Sequence, residues 1–117
     1  MLPEGWHNLT PRIVTDDVAG LVAFLRRVFG AAGELEEGRP TVMRLGDSNL
    51  MIGGVGPRPA TPAFLYVYVE DADEVYRRAV ADGAKTVEEP VDTPYGDRRA
   101  MVEDGWGNVW QIATYRG

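Results

Sequence analysis

The hydrophobic positions of this chain follow two rhythms, and the pair of rhythms occurs twice. Val18, Leu21, Val22, Leu25, Val28 and Phe29 recur at helical spacing and form one apolar stripe. Thr15-Asp16-Asp17 offers cap oxygens before it, and Gly30 is placed to close it. Arg26 and Arg27 lie off the stripe near the C-terminal end, where positive charge suits the helix dipole. Ala72, Val75, Tyr76, Ala79 and Val80 repeat the stripe, with Asp71 as cap, Glu74 completing a capping-box-like pair and Gly83 as the stop. Extended runs surround the helices: 9–14, 34–37, 41–45 and 49–52 in the first half, and 64–69, 85–89, 98–103 and 108–115 in the second. Pro11 has no N–H to donate, which points to an edge position for the first strand. Residues 90–97 read as a loop.

Ile13-Val14-Thr15-Asp16-Asp17-Val18 and Val67-Tyr68-Val69-Glu70-Asp71-Ala72 open equivalent units, so the chain is an internal repeat of the form β-α-β-β-β. The expected class is α+β. Module one covers about 7–54, a Gly- and Pro-rich linker about 55–62, and module two about 63–117, together one domain.

Residues 95–115 read as a hairpin whose turn is Asp104-Gly105-Trp106-Gly107. An Asp-x-x-Gly-Asn turn, followed by a strand with polar Gln111 at its fourth position, resembles the C-terminal hairpin of the vicinal oxygen chelate superfamily. That group includes glyoxalase I, the bleomycin-resistance proteins and the ring-cleaving dioxygenases. The Tyr95-Gly96-Asp97-Arg98 run resembles a glyoxalase-like branch of it. The resemblance implies two βαβββ modules whose mixed sheets form a cup with helices on the convex side, and a homodimer whose cups lie within or between subunits.

Charge narrows the partners. Twelve Lys and Arg against eighteen Asp and Glu give −6, which argues against nucleic acid and suits a neutral or cationic ligand or simple solubility. The chain has no Cys, hence no disulfide, thiol nucleophile or thiolate metal site. No apolar run approaches the roughly 20 residues of a membrane helix. The first seven residues carry no basic or apolar leader, and a cytoplasmic location is expected.

Metal-dependent relatives within the resemblance place His or Glu, occasionally Gln, at four strand positions. Here those positions fall on Thr10, Phe64, Gln111 and one residue within 49–53, where no carboxylate occurs. A phenyl ring offers no lone pair to a cation. His7, the single histidine, reads as a surface or terminal residue, and Glu88, Glu89, Asp92 and Asp97 as a solvated loop. No metal and no cofactor are expected.

Strand alternation places Phe64, Tyr66 and Tyr68 on one face and Leu65, Val67 and Val69 on the other. Gln111 shares its face with Val109, Ala113 and Tyr115, while Trp110, Ile112 and Thr114 turn to the helix. The candidate ligand-binding residues are Phe64, Tyr66, Tyr68, Gln111, Arg12, Trp106 and Arg99. Tyr66 and Tyr68 read equally as ligand lining or as packing. Arg98 and Arg99 alternate, so one faces the cup unless both pair at the surface with Asp97 or Glu103.

The reading is a metal-free protein that binds a small organic molecule, a drug or natural product, in an aromatic cup. One alternative is a lyase, isomerase or dioxygenase acting on a small carbonyl or aromatic compound. Another is a dimer module without ligand. Nucleic acid and membrane are not expected partners.

Overall fold

The computed structural model describes residues 1–117. In chain order the elements are β1 (Arg12–Thr15), α1 (Val18–Phe29), β2 (Thr41–Leu45), β3 (Ser48–Gly54), β4 (Phe64–Tyr68), α2 (Ala72–Ala81), β5 (Lys85–Asp92), β6 (Asp97–Glu103) and β7 (Val109–Tyr115). The chain divides into two units, Met1–Ala63 and Phe64–Gly117. This is an α+β fold of seven strands in two mixed sheets with two helices.

In the first unit the strand order is β1-β3-β2, with β1 parallel and β2 antiparallel to β3. The Asp17 carboxylate accepts from Gly20 N at 3.0 Å and starts α1. Gly30, at φ 66°, ends it, and the N–H groups of Gly30 and Ala31 return to the Arg26 and Leu25 carbonyls. The helix buries Leu21, Val22, Phe24, Leu25 and Val28. The sheet contributes Ile13, Met43, Leu50 and Ile52 to the buried core. Each such side chain contributes roughly 1.5–3 kcal/mol through burial. Phe24 lies between the expected stripe positions and joins the core with its ring edge-on to Phe29 at 6.5 Å.

In the second unit the order is β4-β7-β6-β5, with β4 parallel to β7 and the other pairs antiparallel. Asp71 caps α2 by accepting from Glu74 N at 3.2 Å. Trp110, Ile112, Ala100 and Val102 are buried in the sheet, and α2 covers them with Ala72, Val75 and Ala79. Thr114 accepts from Ala72 N at 2.7 Å and so fixes the start of the helix to β7. Trp110, Ile112 and Thr114 thus take the helix side, as alternation requires.

The two sheets repeat one connection, β1-β3-β2 matching β4-β7-β6, but the first lacks a fourth strand. The run expected at 34–37 forms no strand; a single bridge between Ala32 and Arg44 stands in its place. Gly33 has φ 150°, outside the strand region, and Glu36 N is taken by the Thr41 hydroxyl at 3.0 Å. The matching stretch of the second unit has no glycine and makes β5, which extends through Pro90 to Asp92, so the expected loop shrinks to 93–96. The expected linker is ordered at Thr61, which exchanges backbone bonds with Val14. The first strand begins at Arg12 rather than residue 9, immediately after Pro11. No helix is long and apolar enough to cross a membrane.

Candidate functional site

One face of the second sheet carries α2; the other carries rings. On β4 the alternation leaves Phe64, Tyr66 and Tyr68 with 67%, 38% and 59% of their surfaces exposed. In the ladder, Phe64 stands opposite Val109, Tyr66 opposite Gln111 and Tyr68 opposite Ala113. On β6 Arg98 reaches across to Asp73 of α2 at 3.0 Å, which fixes Asp97, Arg99, Met101 and Glu103 on the opposite face, with the rings. Five of the seven expected binding residues, Phe64, Tyr66, Tyr68, Gln111 and Arg99, therefore share one surface.

The other two lie elsewhere. Arg12 is an exposed residue of β1 in the first unit, with its guanidinium beside Gly53. Trp106 sits half-buried in the β6–β7 turn, and its backbone N–H donates to Asp104 Oδ1 at 2.9 Å. Alternation correctly separates Arg98 from Arg99, but neither pairs with Asp97 or Glu103. Arg98 binds Asp73 and Asp92, and Arg99 binds Glu88 through two bonds of 2.9 and 3.1 Å.

The face is organised by a residue read as solvated from sequence. Asp97 is only 3% exposed. Its Oδ2 accepts from Tyr66 at 2.6 Å and from Tyr68 at 3.0 Å. The two rings meet edge to face, 5.4 Å between centroids. Thr93 holds the aspartate's backbone, accepting from Asp97 N at 2.9 Å and donating to Asp97 O at 3.0 Å. Tyr95, on the loop before β6, accepts from Arg99 at 2.7 Å and lies 3.5 Å from the Tyr66 hydroxyl. Glu88, Arg99, Tyr95, Tyr66, Asp97 and Tyr68 thus form one chain of polar contacts beneath and beside the exposed rings. Tyr95, Glu88 and Asp97 were missed as site residues. Only Asp97 carries a signal, its two-residue spacing from Arg99 and Met101, which places it on the aromatic face once β6 is recognised.

Partial desolvation, then the bond to Asp97, pushes the Tyr66 phenol above its usual value; for Tyr68 the Asp97 bond comes first. The Glu88 pair holds the Arg99 guanidinium charged. A phenol whose pKa is raised on folding stabilises the native state below the unfolded value of 10.0 and ceases to do so as pH climbs through the folded value. The wild-type melting temperature is therefore expected to fall more steeply than that of Tyr66→Phe between about pH 9 and about pH 11. Parallel slopes in a thermal melt series would show that the phenol bond contributes nothing.

The face does not supply a divalent-cation site of the kind the hairpin resemblance implies. Phe64 occupies one of the required positions, and Gln111 offers a single neutral oxygen. Nowhere in the chain do three or more His, Cys, Asp or Glu side chains come together in a way that could hold a metal.

Comparison with known proteins agrees with this architecture. A family model described as the Glyoxalase/Bleomycin resistance protein/Dioxygenase superfamily matches residues 7–112. An uncharacterised protein of Mycobacterium bovis is 32% identical over 122 residues, covering 89% of this chain and 80% of its own length. TioX from Micromonospora sp. ML1 superposes with a TM-score of 0.80 at 26% identity, over 93% of this chain and 98% of its own. A glyoxalase/bleomycin resistance protein/dioxygenase family enzyme from Burkholderia phytofirmans PsJN shares the fold, with a TM-score of 0.79 at 20% identity, over 91% and 96% of the two chains.

Proposed function

Because the chain belongs to the glyoxalase, bleomycin-resistance and dioxygenase superfamily, we propose that it binds a small organic molecule on the aromatic face of its second sheet and does so without a metal ion. The observation that carries this reading is the row Phe64, Tyr66 and Tyr68. Three large rings stand exposed on adjacent outward positions of one strand, where sheet packing does not use them. Rings of this kind offer broad contact area to a flat ligand. Gln111, beside Tyr66, adds an amide that can both donate and accept. The Asp97 bonds fix the two phenol oxygens, so little side-chain freedom is lost when a ligand settles. Sequestration of a drug or natural product is the role that needs nothing beyond this surface. The same rings would be covered if two copies of the chain paired through them.

A thermal-shift screen tests the proposal. Metal-stripped protein is expected to keep its midpoint with Ni²⁺, Zn²⁺, Mn²⁺ or Fe²⁺ and to gain stability with flat aromatic fragments, because a ligand that binds only the folded state stabilises by mass action. A saturable shift with one of the ions at micromolar concentration would contradict the metal-free reading. A dimer whose dissociation constant is unmoved by Phe64→Ala and by every fragment would leave the rings without the assigned role.

A further inference from the structure

The charges and proton positions on the aromatic face specify more than flatness. Three carboxylates belong to it: Asp97, Glu88 and Glu103. Glu88 is matched by Arg99 in a two-bond ion pair, and Glu103 stands opposite Lys85 in the β5–β6 ladder. Two cations, Arg99 and Lys85, against three anions leave the face one net negative charge, and Asp97 is bonded to no cation. Both phenol protons point inward to that carboxylate. A tyrosine has one proton to give, so Tyr66 and Tyr68 turn only acceptor lone pairs outward, and the bond to a carboxylate makes those oxygens more negative. The Tyr95 oxygen accepts from Arg99, and its own proton is directed at the Tyr66 oxygen 3.5 Å away, which leaves Tyr66 one lone pair free of the network. The ring faces of Phe64, Tyr66 and Tyr68 add the negative side of their quadrupoles. Neither phenol uses Asp97 Oδ1.

From this arrangement we propose that the ligand is a planar organic cation, a protonated aromatic amine or amidine, with its N–H donors on the Tyr66 and Tyr68 oxygens and its charge above Asp97. The inference rests on the reading of this face as a small-molecule site and names the class of molecule. Flat anions meet lone pairs, ring faces and an unmatched carboxylate with only the Gln111 amide to offset them, and neutral rings gain stacking and that amide without the charge. The buried carboxylate attracts a cation through the phenol bonds without itself being fully exposed to screening by salt.

Two fluorescent tricyclic probes of similar area separate the possibilities: proflavine, a cation, and anthracene carboxylate, an anion. Proflavine is expected to bind the wild-type chain at least about tenfold more tightly, the equivalent of one well-placed charge-assisted contact. Asp97→Asn keeps the shape and removes the charge, and is expected to erase most of that preference. Should that buried variant fail to fold, Glu88→Gln replaces it. Glu88 is half-exposed, and losing its charge brings the face to neutrality with every ring in place, so the preference should narrow several-fold. Equal affinity for the two probes, or tighter binding of the anion, overturns the cation assignment and leaves the small-molecule reading standing. Binding of neither probe removes both. A cation preference unchanged in Asp97→Asn or, where that does not fold, in Glu88→Gln overturns the assignment as well, because the discrimination would not arise at this carboxylate.

Discussion

Replacing Asp104 by alanine is expected to destabilise the chain by about 3–5 kcal/mol, since several buried hydrogen bonds to a charged acceptor, roughly 1.5–3 kcal/mol each, are lost together. Asp104 closes the β6–β7 hairpin and is 5% exposed. Its Oδ1 accepts from the Trp106 and Asn108 backbone N–H groups at 2.9 and 3.0 Å. Its Oδ2 accepts from the Asn108 amide and the Trp110 indole, both at 2.9 Å. Asn108 and Trp110 are themselves buried, so the variant takes a charged acceptor away from donors in the interior. The melting temperature should fall by about 10–20 °C. Asp104→Asn should recover only part of the loss, since one face of its amide presents N–H groups to other donors. A cost below about 1 kcal/mol for the alanine variant would mean that water replaces the carboxylate and that the hairpin does not depend on it.

The second large effect is expected in the other unit. Gly33→Ala should cost about 3 kcal/mol or more, from a disfavoured backbone conformation combined with overpacking. Gly33 has φ 150°, and an added Cβ would run into the Val42 carbonyl and lie 2.8 Å from the Met43 sulfur. The Met43 side chain is packed in the core and the carbonyl belongs to β2, so neither yields freely. The chain beside it is also fixed, because Ala32 and Arg44 exchange two backbone bonds and Arg26 donates to Gly33 O at 2.6 Å. Urea titration of the variant checks the figure. A shift in midpoint equivalent to less than about 0.5 kcal/mol, the size of an ordinary surface substitution, would show that the segment moves aside freely.

These two positions also show what the sequence made legible. Asp104 was readable as a turn residue from Asp-x-x-Gly-Asn, and the alternation after it sorted Trp110, Ile112 and Thr114 to the helix side. The stripes of α1 and α2, their Asp caps and the repeat followed from spacing alone, because periodicity and capping are local properties. Gly33 was not legible. The run Glu34-Leu35-Glu36-Glu37 has no strong breaker within it, and what cancels the strand is a close approach to β2 that only the folded chain contains. The site divides the same way. Strand alternation put Phe64, Tyr66 and Tyr68 on one face. Asp97 reads as a solvated acid because its spacing from Glu88, Glu89 and Asp92 is that of a solvated loop. Its burial depends on two phenols arriving from β4, about thirty residues earlier, and on Thr93 holding its backbone. Long-range satisfaction of a buried charge leaves no mark on its immediate neighbours in sequence.

Backbone amide chemical shifts locate where a flat aromatic fragment binds. The fragment is one that raises the melting temperature. The perturbed amides are expected to cluster on β4, β7 and β6 around Tyr66, Tyr68, Gln111 and Arg99, and Tyr68→Ala to weaken the response. Perturbations confined to the first unit, or spread evenly over the chain, would contradict binding on this face.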